Sequence, residues 1–260
     1  MRVVTFASGS SGNCTLLRDG GTQILFDAGI SMRRIRAALA QQQLTPQEIS
    51  AVFITHAHRD HTAGLRTWAK QCAVPIYASA ETAAVLRSEM PELTIRLREL
   101  DTGTPVGIGE LAVSAFPTMH DSPGSVGYTV RRGGTGFGLC TDLGCVTDEV
   151  FDALSGLQAA VLEANHDVEM LLRGPYPYPL KRRILSERGH LSNEACGSLA
   201  AALAKTGTTR LVLGHLSKEN NRPELALRVV RECVGDGVEL RAAPPDTSLT
   251  LEIGAVPCLA

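Results

Sequence analysis

Six consecutive residues, His56-Ala57-His58-Arg59-Asp60-His61, hold four side chains able to ligate a metal, and they follow the apolar run Ala51-Val52-Phe53-Ile54. Imidazole nitrogens and a carboxylate oxygen are donors that zinc and its first-row neighbours prefer. A short strand ending in such a cluster presents the donors on a loop held by a rigid element. His56 and His58 are two apart, so from extended backbone their rings leave on the same side and can grip one ion. Asp60 and His61 are adjacent and leave in different directions, which suits a second ion beside the first. The chemistry on offer is metal ligation.

The remaining histidines strengthen this reading. The chain has seven: His56, His58, His61, His120, His166, His190 and His215. His120 sits in Met119-His120-Asp121, His166 in Glu163-Ala164-Asn165-His166-Asp167, His190 in Gly189-His190-Leu191-Ser192, and His215 ends the run Leu211-Val212-Leu213-Gly214. Any one of them alone is best read as a hydrogen-bonded core or surface residue. Four at strand ends or in loops, in a chain that carries the His56–His61 cluster, favour a site.

The elements that must position these residues alternate. Strands are expected at Val3 to Phe6, Thr15 to Leu17 and Gln23 to Phe26, with Gly20-Gly21 as a turn. Met32 to Ala40 reads as a helix, and Thr45-Pro46-Gln47-Glu48 as a capping box that opens a short one. Ala51 to Ile54 is a buried strand; helices at Leu65 to Gln71 and Glu81 to Ser88 flank a strand from Pro75 to Ala78. Strands dominate from Leu111 to Cys140. Beyond Val150, strands at Ala159 to Glu163, Arg210 to Leu213 and Ser248 to Ile253 alternate with helices near Asp167 to Arg173, Asn193 to Lys205 and Pro223 to Cys233. Two strand-rich stretches interleaved with helices imply two packed sheets under outer helices, in one domain spanning 1–260.

Composition sets the outer bounds. A formal net charge of −2 gives no global pull toward nucleic acid, so such a partner needs a local basic patch. No apolar stretch approaches the roughly 20 residues of a membrane span, and the N-terminus runs straight into a strand-like segment without a signal-peptide pattern. Seven cysteines at irregular spacing, with no Cys-x-x-Cys pair, argue against a disulfide framework and for a cytoplasmic home. Cys140 and Cys145 flank Asp142, but small buried hydrophobes are the commoner use of free cysteine, and they stay outside the expected site.

The motif His56-x-His58-x-Asp60-His61, followed by a His, an Asp and a final His, resembles the metallo-β-lactamase superfamily. Ala7-Ser8-Gly9-Ser10-Ser11-Gly12-Asn13, Phe26-Asp27-Ala28-Gly29, Gly189-His190-Leu191-Ser192-Asn193 and Leu213-Gly214-His215-Leu216-Ser217 extend the likeness to its YycJ/WalJ-like exonuclease branch. The resemblance implies an α/β fold, an αββα four-layer sandwich of two mixed β-sheets flanked by helices. It implies two divalent metal ions, Zn²⁺ or Mn²⁺/Fe²⁺, one on His56, His58 and His120, the other on Asp60, His61 and His215. Asp142 would bridge them, a role that its local pattern alone, a turn aspartate after a strand, does not give it. Asp27 would support the ligand loop.

The implied function is a metal-dependent phosphodiesterase, a 5′-to-3′ DNA exonuclease that uses a metal-activated hydroxide. Asp60 would orient the nucleophile, and His190, held by Glu163, would be the general acid. Its partner would be duplex DNA with a free 5′ end, with no membrane and no nucleotide cofactor. Lys181 and Arg182, in a basic run with Arg183 and Arg188, are expected phosphate contacts, though solvated helix faces commonly carry such runs. His166 is expected to support or touch substrate. Tyr176 and Tyr178 could stack on a base or brace a proline-stiffened loop. The alternative is hydrolysis of a small molecule at the same site: a cyclic phosphodiester, thioester or lactam. A metal-binding module without turnover is disfavoured because no ligand is missing.

Overall fold

The computed structural model describes residues 1–254; residues 255–260 of the expected domain lie outside them. β1 (Arg2–Ala7), β2 (Cys14–Asp19) and β3 (Thr22–Phe26) form an antiparallel meander. β4 (Ala51–Phe53), β5 (Ile76–Ser79) and β6 (Leu97–Leu100) extend it by parallel pairing. The second sheet repeats this plan: β7 (Val106–Ile108), β8 (Leu111–Pro117), β9 (Val126–Arg132) and β10 (Thr135–Cys140) are antiparallel. β11 (Ala159–Glu163), β12 (Arg210–Gly214) and β13 (Glu239–Ala242) then add in parallel. The strand β14 (Leu249–Glu252) returns to the first sheet beside β1.

Both faces of each sheet are apolar, and the period of two decides which residues go where. Ile24, Phe26, Ala51 and Phe53 meet Tyr128, Val130, Phe137, Ala159 and Val161 between the sheets. Leu25, Val52 and Ile54 face outward under α1 (Met32–Gln41), α3 (Leu65–Gln71) and α4 (Ala80–Glu89). On the other side Ala160, Leu162, Leu211 and Leu213 lie under α5 (Asp148–Leu154), α8 (Asn193–Lys205) and α9 (Pro223–Val234). The result is four layers, αββα. In α1, Met32, Ile35 and Leu39 recur on one face, and the Ser31 hydroxyl caps it by accepting from the Arg34 N–H.

The structure departs from the sequence reading where elements are short. The capping box at Thr45 is present, its backbone N–H donating to Glu48 at 2.7 Å, but the turn it opens is a 3₁₀ turn, Pro46–Glu48. β6, β7 and β13 were not expected; each is three or four residues long and two of them close the edges of the second sheet. Two further short helices lie near the site. α2 (Arg59–Thr62) contains Asp60 and His61, and α7 (Tyr178–Ile184) starts inside Pro175-Tyr176-Pro177-Tyr178-Pro179. α6 (Val168–Arg173) precedes it.

Candidate metal centre

Candidate ligands and the carboxylates that support them cluster where parallel strands end. Asp27 directly follows β3, the His56–His61 segment follows β4, Asp142 lies two residues beyond β10, Glu163 closes β11, and His215 directly follows β12. Crevices at the carboxyl ends of parallel strands are the usual ligand sites of α/β sheets. Three of these residues bend the chain sharply: Asp27, Asp142 and His215 have φ of 60°, 62° and 54°. Side chains other than glycine rarely adopt that region, Asp and His more readily than most. The bend takes each residue out of its strand direction and over the crevice.

Backbone contacts fix the ligand loop. Ala28 N–H donates to the His61 carbonyl (2.9 Å), Asn13 N–H to the Asp60 carbonyl (2.8 Å), and Gly64 N–H to the Ala28 carbonyl (2.7 Å). Gly29 passes so close to α2 that a Cβ there would stand 1.6 Å from the Asp60 carbonyl oxygen. Asn13, in the Gly/Ser loop, also places its amide nitrogen 3.0 Å from His61 Nε2.

Four of the candidate ligand rings, and not His58, are oriented from behind. His61 Nδ1–H donates to Asp27 at 2.7 Å, His120 Nδ1–H to the Gly189 carbonyl at 3.1 Å, and His215 Nδ1–H to Glu163 at 2.8 Å. Thr55 donates to both Asp27 oxygens and lies 3.1 Å from His56 Nδ1. With Nδ1 committed, the Nε2 lone pair turns inward; such outer hydrogen bonds fix the tautomer a metal needs. His58 differs, pointing Nδ1 at His120 Nε2 across 3.3 Å.

The inward atoms fall into the groups His56/His58/His120, His56/His61/Asp142 and Asp60/His61/His215, each with its donor atoms within 4.8 Å of one another. Around the last group, His61 Nε2 stands 3.6 Å from Asp60 and 3.3 Å from Asp142, while His215 Nε2 stands 3.5 Å and 3.4 Å from the same two carboxylates. Donors at about 2.0–2.1 Å around a tetrahedral ion stand roughly 3.3–3.4 Å apart, so these edges are of the right length. His56 Nε2 and Asp142 Oδ2 are buried without a hydrogen-bond partner among the described residues, a cost that bound cations would remove. The donor set fits divalent metal.

Electrostatics agree. Burial would push His61 and His215 toward the neutral form, yet Asp27 and Asp142 hold His61 well above the ordinary histidine range. Asp142, Asp60 and Glu163 likewise raise His215 to about 10. Burial opposes ionisation of Asp142 too, but His215 and His61 keep it well below the carboxylate range. His56, by contrast, is driven low by burial and by its neighbour His61. The centre is a nest of negative charge that holds protons where cations would otherwise sit.

Glu163 is fully buried and serves two rings. One oxygen accepts from both His215 Nδ1 and His190 Nδ1 at 2.8 Å, and the other from the Leu143 and Leu191 amides at 3.1 and 3.0 Å. It therefore positions other groups and does not reach the cavity. Burial lowers the pKa of His190, but the Glu163 charge outweighs it, so the ring titrates above the ordinary histidine value. A cavity of about 260 Å³ opens over the centre; Ser10, His58, Asp60, Asp142, His190 and His215 are among its walls.

Three expected substrate contacts lie elsewhere. His166 is 1 % exposed and outside the cavity wall. Its backbone bridges to Ser192 and accepts from the Asn193 amide, which draws the segment under the start of α8. Lys181 donates to the Leu172 carbonyl at 2.7 Å, and Arg182 is exposed on α7; neither lines the cavity. Arg183 and Tyr176 do, as do Asp121 and Asn165, which the sequence reading did not single out. Asn165 donates to the His215 carbonyl at 2.9 Å; Asp121 adjoins His120 in sequence, the one signal that could have found it. Asn221 pairs with Asn193 through reciprocal amide bonds of 2.8 and 3.0 Å, a buried structural contact.

Residues 22–216 match the model of the beta-lactamase superfamily domain. The chain is 33 % identical to the exodeoxyribonuclease WalJ of Streptococcus pneumoniae, over 94 % of this chain and 95 % of that one. It is 32 % identical to the exodeoxyribonuclease YycJ of Bacillus anthracis, over 92 % and 94 %. Among solved structures, the metallo-beta-lactamase fold protein YhfI of Bacillus subtilis superposes with a TM-score of 0.72, at 15 % identity, covering 96 % of this chain and 99 % of that one.

Proposed function

The chain belongs to the beta-lactamase superfamily, in the branch of the exodeoxyribonucleases WalJ and YycJ, and on that premise we propose that it is a dinuclear-metal DNA exonuclease working from 5′ ends. The observation that carries the reading is the His/Asp centre itself, with its inward donor atoms within 4.8 Å in each group, in a chain similar to two exodeoxyribonucleases along nearly its whole length. His56, His58 and His120 would hold one ion, Asp60, His61 and His215 the other, with Asp142 between them. When bound, the ions would acidify a water molecule and neutralise charge on phosphate oxygens. Mixed imidazole and carboxylate donors suit Zn²⁺ and Mn²⁺ alike.

The protein's own groups supply the rest. Asp60 directs one oxygen at His61 and His215 and has the other to orient the attacking water. His190, with Nδ1 committed to Glu163, has Nε2 left to protonate the departing sugar oxygen. Because Glu163 anchors His215 as well, one carboxylate keeps the proton donor in register with a ligand. We place the activity in the cytoplasm, on six cysteines that stand free among the described residues; no helix among those residues is long and apolar enough to cross a membrane.

The test is digestion of duplex DNA labelled at either 5′ or 3′ end, with Mn²⁺ and Zn²⁺ tried separately across a salt series. Early release of the 5′ label, with a rate that falls steeply as salt rises, is the expected result. A salt-insensitive rate on a small phosphodiester, with DNA untouched, would instead favour the small-molecule hydrolase.

A further inference from the structure

Among the described residues that line the cavity, Arg183 is the one with a permanent positive charge, and it shares the wall with Asp60, Asp121 and Asp142. It lies in the last turn of α7, and its Nε–H donates to Asp121 Oδ2. The terminal guanidinium nitrogens make no hydrogen bond with the described residues. Asp121 is also unusual in its surroundings. Its second oxygen is buried and unpartnered, 3.3 Å from His120 Nε2 and 3.9 Å from His58 Nε2. A single carboxylate therefore separates Arg183 from the candidate ligands.

A role in stability is a poor account of this pair. The Arg183 side chain is 58 % exposed and that of Asp121 26 %, and ion pairs with so exposed a partner contribute little to folding. The bond from Arg183 Nε to Asp121 stations the guanidinium in the cavity wall. A guanidinium held through Nε keeps its NH₂ groups for two parallel bonds to phosphate oxygens, which an ammonium cannot copy.

We propose that Arg183 is the phosphate-binding residue of this cavity, stationed on Asp121 in the free protein and engaging a substrate phosphate next to the linkage that is cut. The proposal rests on the phosphodiesterase reading above. Tyr176, half-buried in the same wall, and Leu180, one turn before Arg183 on α7, give the adjoining nucleotide an apolar surface. The phosphate is either the terminal monoester of a 5′-phosphorylated end or a backbone diester; the chemistry recognised is the same.

The experiment compares Arg183→Ala, Arg183→Lys and Arg182→Ala with the parent protein, all metal-loaded and checked for equal metal content and melting temperature. Substrates are duplexes with 5′-phosphate and 5′-hydroxyl ends, and bis(p-nitrophenyl) phosphate. Arg183→Ala is expected to raise KM for DNA about ten- to hundred-fold, the size of charge-assisted hydrogen bonds. It should also flatten the dependence of log KM on log salt by about one phosphate contact. Its loss of kcat/KM on DNA should exceed that on the small diester by ten-fold or more. Arg183→Lys should recover the salt slope and little of the affinity, and Arg182→Ala measures what generic positive charge alone is worth. A loss confined to 5′-phosphorylated ends assigns the terminal phosphate, and a loss on both duplexes assigns the backbone. Equal effects of Arg183→Ala and Arg182→Ala on DNA would overturn the proposal while leaving the nuclease reading intact. Failure of the parent protein to cut either duplex would remove the reading beneath it.

Discussion

At Glu163 one buried carboxylate holds both a candidate ligand and the candidate proton donor, so its charge should be visible in the pH profile. His190 acts as an acid when protonated, so its contribution is present below its pKa and lost as pH rises through it. Glu163 raises that pKa, and Glu163→Gln should therefore move the alkaline limb of kcat to lower pH. His190→Ala should lower kcat on DNA by about 10²–10⁴. The loss should be smaller on bis(p-nitrophenyl) phosphate, whose leaving group departs without a proton. Equal losses on both substrates would argue against the acid role. The sequence made His56 to His61 legible because their spacing is local. Asp142, far away in the chain, emerged only through resemblance to a family; His215 stood out as a strand-end histidine, but its place on one ion came only from that resemblance. Asp121 stayed hidden, and Arg183 was legible only as one of a basic run, since their pairing exists only once α7 folds over the cavity.

The elements are positioned by a few close backbone approaches, and Gly29 is the tightest near the site. A methyl group there would meet backbone of Asp60, not a yielding side chain, so α2 would have to move. Gly29→Ala should cost about 1–3 kcal/mol in denaturant unfolding and reduce metal content, because Asp60 and His61 ride on α2. Gly21→Ala, with nothing within 4 Å of the new Cβ, should stay within about 0.5 kcal/mol of the parent; similar outcomes for the two would discredit the packing argument. Long elements could be read from periodicity, as in α1 and α3. The short β6, β7 and β13 could not, since half or more of their residues are partly or fully exposed and no apolar pattern survives. α7 was hidden for another reason. Pro177 and Pro179 read as loop, yet proline is tolerated in a first helical turn, where its missing N–H would have no partner.

Across the whole molecule, two similar halves, each a meander followed by parallel strands, bring their carboxyl ends to one crevice and so assemble candidate ligands that span residues 56 to 215. On the proposed reading, a net charge of −2 leaves attraction for DNA to the ions and to local cations such as Arg183, so activity should require metal. The measurement that tests this most directly is a titration of chelator-stripped protein with Mn²⁺, following nucleotide release from duplex DNA alongside bound metal, with Asp142→Ala in parallel. Two sites predict little activity until the second equivalent binds, full activity near two, and no recovery in Asp142→Ala. Undiminished digestion by the stripped protein, or full activity at one equivalent, would contradict the dinuclear account.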